Sequence, residues 1–323
     1  MTKVIVSDLM TRVYVLVDDV LRCRPEYTNW RRSNNAHPVF TDAEVLTIAL
    51  MRPLLGLATL KDAYRLIAGT HRDCFPALCG YQQWVRRLQP ITPLLGVLLD
   101  AIGQSGIRLH VERRADELSE HLRFDAESPQ QHAYRRHGVE LDALTFVIDS
   151  KPLPVVSQRR IAAARLLRDD GAYFGKSSCG WYFGFKLHVL EHRGSGMVVN
   201  AMLTAANYDD RPGLQLCEHL PAGAIVLGDE GYNGDDAFDE LAEEVAAIRV
   251  MPSDKTRKTK PGEKRQFKHS IISTLRQSIE TLFSQCCRKS IDRVLARSFN
   301  GLWAASLITL VAYNIDAAHL LPP

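Results

Sequence analysis

The spacing of apolar and polar residues divides the chain into a helical first third and a longer region of mixed strands and helices. Apolar residues recur at helical spacing in five early segments, which are 1–22, 42–52, 59–68, 81–89 and 91–104. Further on, short β-rich runs predict strands at 144–149, 182–190, 197–203, 224–229 and 247–251. Helical patterns accompany these strands at 210–219, 235–246 and about 269–289. This order predicts an α/β fold, a mixed sheet flanked by helices, preceded by an all-helical N-terminal domain.

The same pattern predicts the domain boundaries. Residues 1–105 form the predicted helical domain, and residues 141–323 form the predicted α/β domain with its C-terminal helices. Residues 106–140 carry many charges and little apolar periodicity, which predicts an exposed, partly helical linker. A length of 323 residues is enough for two domains with sizeable cores.

Composition narrows the class of protein. Hydrophobic residues make up 46% of the chain and charged residues 24%, which is typical of soluble globular proteins. The seven cysteines include no C-x-x-C pair, so neither a disulfide framework nor a zinc site is indicated, and a reducing cytosol fits. The N-terminus lacks a signal-peptide pattern, and the apolar segment 302–313 is shorter than the roughly 20 residues of a membrane helix. We therefore expect a cytoplasmic protein with no membrane partner.

A basic run stands out in a chain whose net charge is only +3. Residues 252–268 hold two acids and seven basic residues, a local charge of 7 − 2 = +5, the basic ones being Lys255, Arg257, Lys258, Lys260, Lys264, Arg265 and Lys268. Most such runs are solvated loops. A basic loop that faces an acidic site would instead suit a polyanionic substrate such as DNA.

The short helices of the first third have two interpretations. Three helices joined by tight turns, the third exposing Gln82, Arg86 and Arg87, are compatible with a helix-turn-helix unit that reads DNA. Most three-helix stretches are packing units only, so the pattern leaves both open.

Three acids occupy positions that catalysis could use. Asp149 ends the apolar run of LTFVIDSKPLP, Asp229 follows the strand of IVLGDEGYNG, and Glu280 lies in the helix of RQSIETLFSQCCR. Taken singly, a strand-end aspartate is commonly a turn residue, and Glu280 with Arg276 is commonly a surface ion pair. The aspartates are 229 − 149 = 80 residues apart and the glutamate follows 280 − 229 = 51 residues later, on a β-β-β-α-β-α-β-α frame.

With these acids the sequence resembles the DDE transposases of bacterial insertion sequences, whose catalytic domain is RNase H-like. The resemblance covers residues 146–313 and rests on five motifs in order: VIDSKPLPV, GWYFGFKLHVL, LTAANYDD, VLGDEGYNG and RQSIETLFSQ. It implies that Asp149, Asp229 and Glu280 are the catalytic and metal-binding carboxylates. It also implies an RNase H-like mixed sheet for the α/β domain.

Further residues match recurrent positions of that family. Arg276 matches the arginine four residues before the glutamate and is expected to contact a DNA phosphate. Related transposases often carry a tyrosine three residues before this arginine and a lysine seven after the glutamate, where this chain has Ser273 and Cys287. Arg288 and Lys289 are candidates for the missing positive charge and are predicted to bind DNA. Lys186, His188 and Asp210 also match recurrent positions; Lys186 is a further predicted DNA-binding residue, and His188 and Asp210 have supporting roles.

The resemblance implies a transposase that binds the terminal inverted repeats of its own element and its target DNA. Two Mg²⁺ ions, for which Mn²⁺ would substitute, are expected between the carboxylates, because such ions stabilise the attacking and leaving oxygens of phosphodiester cleavage and strand transfer. A homodimer is expected in the synaptic complex, and association with the bacterial nucleoid when DNA is bound. The alternatives are an RNase H-like nuclease without strand transfer and a catalytically inactive, domesticated DNA-binding protein.

Aromatic residues of GWYFGF also have two interpretations. Trp181, Tyr182 and Phe185 could stack on a flipped base, but aromatic residues in a strand more often pack in a core.

Overall fold

A computed structural model of the chain describes residues 3–24, 38–124, 136, 138–140, 142–232, 249–252, 276–292 and 296–318. The chain forms two compact units, one of residues 1–102 and 285–323 and the other of residues 103–284. This division differs from the predicted domains at the C-terminus, because the last helix groups with the N-terminal helices.

The first unit is built of helices. They are α1 (Lys3–Arg22), α2 (Asp42–Leu54), α3 (Leu60–Thr70), α4 (Tyr81–Leu88), the first part of α5 (Thr92–Phe124) and α7 (Phe299–Ala317). The predicted start of α2 is confirmed, because Thr41 and Glu44 form a capping box. In α7 nearly every residue from Leu302 to Ile315 is buried, as expected of a core helix.

Helix α5 is longer than predicted. The sequence indicated an end near residue 104 and a linker over 106–140, whereas α5 continues to Phe124. A glycine inside a helix costs only about 1 kcal/mol, so Gly103 and Gly106 do not end it. Charge pairs of Arg113 and Arg114 with Glu117, at helical spacing, favour the continuation.

No single helix among the described residues is long and apolar enough to cross a membrane. The bent pair of Tyr81–Leu88 and Thr92–Ser119 passes that test together, by length and composition only.

The second unit contains a mixed sheet of six strands. They are β1 (Thr145–Pro154), β2 (Tyr173–Ser177), β3 (Gly180–His192), β4 (Met197–Ala205), β5 (Ile225–Gly228) and β6 (Arg249–Pro252). β3 pairs antiparallel with β1, β2 and β4, whereas β1, β5 and β6 run parallel to one another. β2 and β4 share the edge of β3 that faces away from β1, since Gly184 pairs with Pro154 of β1 and with Tyr173 of β2. The predicted mixed sheet with the RNase H-like arrangement is confirmed.

The predicted and observed elements of this unit differ in detail. β1 continues five residues beyond its predicted end at Asp149, to Pro154, and β2 was not predicted. The predicted helix at 210–219 is a 3₁₀ helix, Arg211–Cys217. The described part of the predicted helix at 269–289 is α6 (Gln277–Arg288). The predicted helix at 235–246 lies outside the described residues.

The prolines of β1 do not interrupt its pairing with β3. Val155 donates its backbone N–H to the oxygen of Phe183 in β3 at 2.9 Å. Backbone N–H groups alternate between the two edges of a strand, so the nitrogens of Pro152 and Pro154 face the edge of β1 away from β3. On that edge β5 pairs only with residues Thr145 to Val147. The missing N–H groups therefore remove no hydrogen bond of the sheet.

Candidate active site

The first two predicted catalytic acids lie at the ends of adjacent parallel strands. Val147 of β1 pairs with Leu227 of β5, and Asp149 and Asp229 each follow two residues later. Neighbouring strands lie about 4.8 Å apart. The fold therefore brings the two carboxylates together across 80 residues of chain (229 − 149).

The carboxylate of Asp149 is largely buried, which disfavours its charged form. Its Oδ2 accepts a hydrogen bond from Arg276 Nη2 at 3.2 Å, and its Oδ1 accepts one from the backbone N–H of Ser150 at 2.7 Å. Burial nevertheless raises its pKa to about 6, with smaller upward contributions from the negative charges of Asp229 and Asp210. Arg276 therefore offsets only part of the cost of holding this charge.

Asp229 and Asp210 flank one short piece of backbone. Asp229 Oδ1 accepts a hydrogen bond from the N–H of Gly231 at 2.8 Å. A Cβ atom on Gly231 would lie 2.7 Å from Asp210 Oδ2 and 3.0 Å from Asp229 Oδ1. Glycine is needed here because the two carboxylates leave no room for a side chain.

Asp210 makes more contacts within the site than the sequence indicated. Its Oδ1 accepts hydrogen bonds from Ser150 Oγ at 2.8 Å and from Lys186 Nζ at 3.0 Å. Successive residues of a strand point to opposite faces. Asp149 therefore contacts Arg276 on one face of β1, and Ser150 contacts Asp210 on the other. Ser150 is a site residue that sequence reasoning missed, although its place next to Asp149 was a signal.

A buried polar group supports the same region. His188 contacts Tyr232 Oη at 3.2 Å through Nδ1 and Thr204 Oγ1 at 2.8 Å through Nε2. Burial lowers the pKa of His188 to about 4, so the imidazole is neutral at physiological pH. Burial and the charges of Asp149, Asp210 and Asp229 raise the pKa of Tyr232. His188 and Tyr232 thus act as neutral hydrogen-bonding groups beneath the acids.

Helix α6 packs on the face of the sheet that carries Asp149. Arg276 immediately precedes this helix, and Phe283 receives the Lys151 ammonium 5.9 Å from its ring centroid. Ile279 and Leu282 are fully buried. These contacts fix the start of α6, and with it Arg276, next to Asp149.

Glu280, the third predicted acid, lies in α6 with an exposed side chain. Within the described ranges, no contact joins it to Asp149 or Asp229. No group of three or more His, Cys, Asp or Glu side chains there is arranged to hold a metal. Its catalytic role therefore stays a prediction.

The aspartates nevertheless fit a divalent cation. Mg²⁺ prefers carboxylate oxygens and is usually held by one or two carboxylates, with water and substrate phosphates completing its shell. Asp149 and Asp229 supply two such carboxylates. Burial, and to a smaller extent the charges of Asp229 and Asp210, raise the pKa of Asp149, and a bound cation would stabilise its charged form. Both the donor atoms and the electrostatics suit the metal that the sequence predicts.

The other predicted DNA-binding residues fall into three groups. Lys255, Arg257, Lys258, Lys260, Lys264 and Arg265 lie outside the described residues. Gln82, Arg86 and Arg288 are exposed and available to a ligand. Arg87 instead contacts Asp42 at 2.9 Å and the backbone oxygen of Phe40, and Lys289 contacts Asp316. These pairings give Arg87 and Lys289 structural roles within the helical unit.

Comparison with known proteins gives one match. The family model described as the transposase DDE domain matches residues 140–315, which is more than half of the chain. No curated protein and no solved structure matches the chain. The matched segment includes all six strands of the sheet and helix α6.

Proposed function

The chain belongs to the transposase DDE domain family, and from that premise we propose that it is the transposase of an insertion sequence. It binds the terminal inverted repeats of its element and catalyses metal-dependent strand cleavage, followed by transfer of the DNA 3′ end to target DNA. The observation that supports this most directly is the pair Asp149 and Asp229 at adjacent strand ends, with Asp210 and Arg276 beside them.

Asp149 and Asp229 would hold Mg²⁺, or Mn²⁺ in its place, and Glu280 would complete the ligand set. Such ions, when bound, activate the attacking oxygen and stabilise the leaving oxygen of an in-line displacement at phosphorus. Each aspartate enters the site as a deprotonated ligand, so the proton that Asp149 carries at low pH must leave before the site loads.

Arg276 has two successive partners in this proposal. In the metal-free protein its guanidinium pairs with Asp149. DNA places a phosphate at the same strand ends, and a guanidinium fork matches phosphate oxygens in geometry and charge. Arg276 then orients the phosphate to be cleaved.

The remaining residues keep the aspartates in place. Ser150 and Lys186 hold Asp210 by hydrogen bonds of 2.8 and 3.0 Å, and Gly231 donates to Asp229. Because Lys186 neutralises Asp210, the negative charge near the metal-binding pair is reduced. We infer a homodimer in the synaptic complex, because strand transfer joins two DNA ends, and a cytoplasmic location with the nucleoid as the site of action.

The test is cleavage of a labelled duplex that carries the terminal repeat, with Mg²⁺ or with EDTA. Wild type should nick the repeat end only with the metal, and Glu280→Gln should bind the duplex without nicking it. Gln277→Ala, an exposed position in the same helix, is the matched control and should cleave normally.

Two results would favour the alternatives. Tight repeat binding without cleavage in Mg²⁺ or Mn²⁺ would indicate an inactive DNA-binding protein, for which the exposed Glu280 and the departures at Ser273 and Cys287 would give a reason. Cleavage without any joined product would indicate a nuclease.

A further inference from the structure

A second basic stretch, separate in the sequence from the run at 252–268, lies on the surface of the α/β unit. We call it the hairpin surface and define it as residues 157–181, which comprise the 3₁₀ helix Gln158–Ala163, strand β2 and the first residues of β3. It contains two acids, Asp169 and Asp170, and five basic residues, a net charge of 5 − 2 = +3. All five basic side chains are exposed, and they are Arg159, Arg160, Arg165, Arg168 and Lys176.

Most of the basic residues of this surface form no ion pairs with described acids. Among the described parts of the chain, no carboxylate forms an ion pair with Arg159, Arg160, Arg165 or Lys176. Elsewhere in the unit, the cations of the site are paired: Lys186 contacts Asp210 at 3.0 Å and Arg276 contacts Asp149 at 3.2 Å. The cations of the hairpin surface therefore remain available to an external anion.

Trp181 is the one aromatic residue of GWYFGF whose ring lies mainly in solvent. Its side chain is 60% exposed, whereas Tyr182 is 5% and Phe185 2% exposed. For Tyr182 and Phe185, core packing is confirmed. Lys176 lies directly opposite Trp181 in the β2–β3 ladder, so the ammonium and the indole share one face of the hairpin.

Packing at its base holds the hairpin in place. A Cβ atom on Gly175 would lie 2.6 Å from the backbone oxygen of Ala206, so β2 approaches the end of β4 too closely for any side chain there. The rings of Phe174 and Phe183 lie 5.1 Å apart, and the guanidinium of Arg168 lies 5.8 Å from the Phe183 ring centroid. At the tip, a Cβ on Gly180 would lie 3.7 Å from Gln158 Nε2, so the hairpin and the 3₁₀ helix form one surface.

The hairpin surface continues from the active site along β3. Asp149 pairs with Val189 of β3, which lies 189 − 181 = 8 residues from Trp181 in the same strand and on the same face, because side chains alternate along a strand. At about 3.3 Å per residue this corresponds to about 26 Å. Duplex DNA rises about 3.4 Å per base pair, so a duplex that ends at Asp149 would reach the hairpin about eight base pairs away.

We propose that the hairpin surface binds the backbone of the duplex about eight base pairs from the phosphate that is cleaved. Arg159, Arg160 and Lys176 bind phosphates, and the Trp181 ring packs against a deoxyribose. The inference rests on the proposed function, because it takes the same DNA as ligand. It adds Arg159, Arg160 and Lys176, which no motif indicated, and it gives Trp181 a deoxyribose as partner in place of a flipped base.

The first test measures binding of the terminal-repeat duplex as a function of salt, in EDTA so that no cleavage occurs. Each lost phosphate contact lowers the slope of log K against log salt by about 0.9, so Arg159→Gln/Arg160→Gln should lower it by about 2. If the binding curves converge near 1 M salt, affinity at 0.15 M salt should fall about 30-fold. The matched control is Arg113→Gln/Arg114→Gln, two exposed arginines of α5. These arginines follow His110 in α5, and His110 contacts Asp142 at 2.9 Å, just before β1 begins. They therefore lie toward the first residues of β1, whereas the hairpin surface follows its last residues.

The second test uses tryptophan fluorescence, with a folded state verified by circular dichroism for every variant. DNA should quench the emission of the wild type, and Trp181→Phe should lose that quenching while keeping its slope of log K. Trp84 is fully buried and should not respond.

Two results would overturn the inference, and they differ in what else they refute. Wild-type binding with an unchanged slope in Arg159→Gln/Arg160→Gln and full quenching in Trp181→Phe would refute the inference alone. No binding by the wild type would refute the proposed function and this inference with it.

Discussion

Replacement of Asp149 by asparagine should stabilise the metal-free protein while it abolishes cleavage. Asp149 is a charged group whose burial is only partly offset by Arg276 and by the backbone N–H of Ser150. Asparagine has nearly the same shape and carries no charge, so it removes the cost of burying the charge. It also removes the carboxylate that is proposed to bind the metal.

The size of the effect follows from the pKa of Asp149, which rises from 3.8 to about 6. Each pKa unit corresponds to about 1.36 kcal/mol, so above pH 6 the charged form costs about 3 kcal/mol of folding free energy. A raised pKa in an acid means that the folded state binds the proton more tightly than the unfolded state. Stability is therefore lost as pH rises from 3.8 through 6, and the benefit of asparagine appears over the same interval.

The assay is urea denaturation in EDTA at pH 4, 6 and 8, followed by fluorescence and circular dichroism. Asp149→Asn should be about 3 kcal/mol more stable than wild type at pH 8 and about equal to it at pH 4. Addition of Mg²⁺ at pH 8 should stabilise wild type and leave Asp149→Asn unchanged. Asp116→Asn, at an exposed position of α5, controls for the general effect of removing one negative charge.

A wild type that is more stable than Asp149→Asn at pH 8 without metal would refute this reasoning. So would a stability difference that does not vary between pH 4 and pH 8. Either result would mean that Arg276 and Ser150 compensate the buried charge in full.

Two further predictions concern other charges of the α/β unit. Burial raises the pKa of Glu191 from 4.5 to about 8, so the folded state becomes less stable as pH rises through this interval. The free energy of unfolding of Glu191→Gln, relative to that of wild type, should therefore rise by about 3 kcal/mol from pH 4.5 to pH 7. Urea denaturation at the two pH values measures this difference. Lys186→Met should cost about 2 kcal/mol because it removes a charge-assisted hydrogen bond of 3.0 Å and leaves the Asp210 charge half-buried, and Lys186→Met/Asp210→Asn should recover most of that loss. A pH-independent effect at Glu191, or a double variant no more stable than Lys186→Met, would contradict them.

Much of the α/β unit could be predicted because its signals are local. A short apolar run that ends in a polar residue predicts a buried strand, and Asp149 and Asp229 each follow such a run in the sequence. The resemblance supplied what local patterns lack, namely that the ends of these two runs belong side by side. Strand lengths were harder to predict, because β1 extends to Pro154 only through its pairing with β3.

The rest of the site depends on contacts between distant parts of the chain. Ser150 and Asp210 are 60 residues apart, and Lys186 and Asp210 are 24 apart, so no local pattern indicates these hydrogen bonds. The contact of Arg87 with Asp42 could not be predicted for the same reason, since the two residues are 45 positions apart. Exposure was equally hard to predict: within one motif, Trp181 points into solvent and Tyr182 into the core.

Because side chains alternate along β1, Asp149 and Ser150 lie on opposite faces of the sheet, and the cations of the site divide between these faces. Lys186 lies opposite Pro152 of β1, two residues from Ser150, so its ammonium serves the face on which Ser150 and Asp210 meet. Asp149 lies on the other face, where Arg276 is the cation that reaches it. If Arg276 moves to a DNA phosphate, as proposed, Asp149 loses that cation and its affinity for a divalent ion should increase. Metal binding and DNA binding should therefore strengthen each other, and the coupling should disappear in Arg276→Gln.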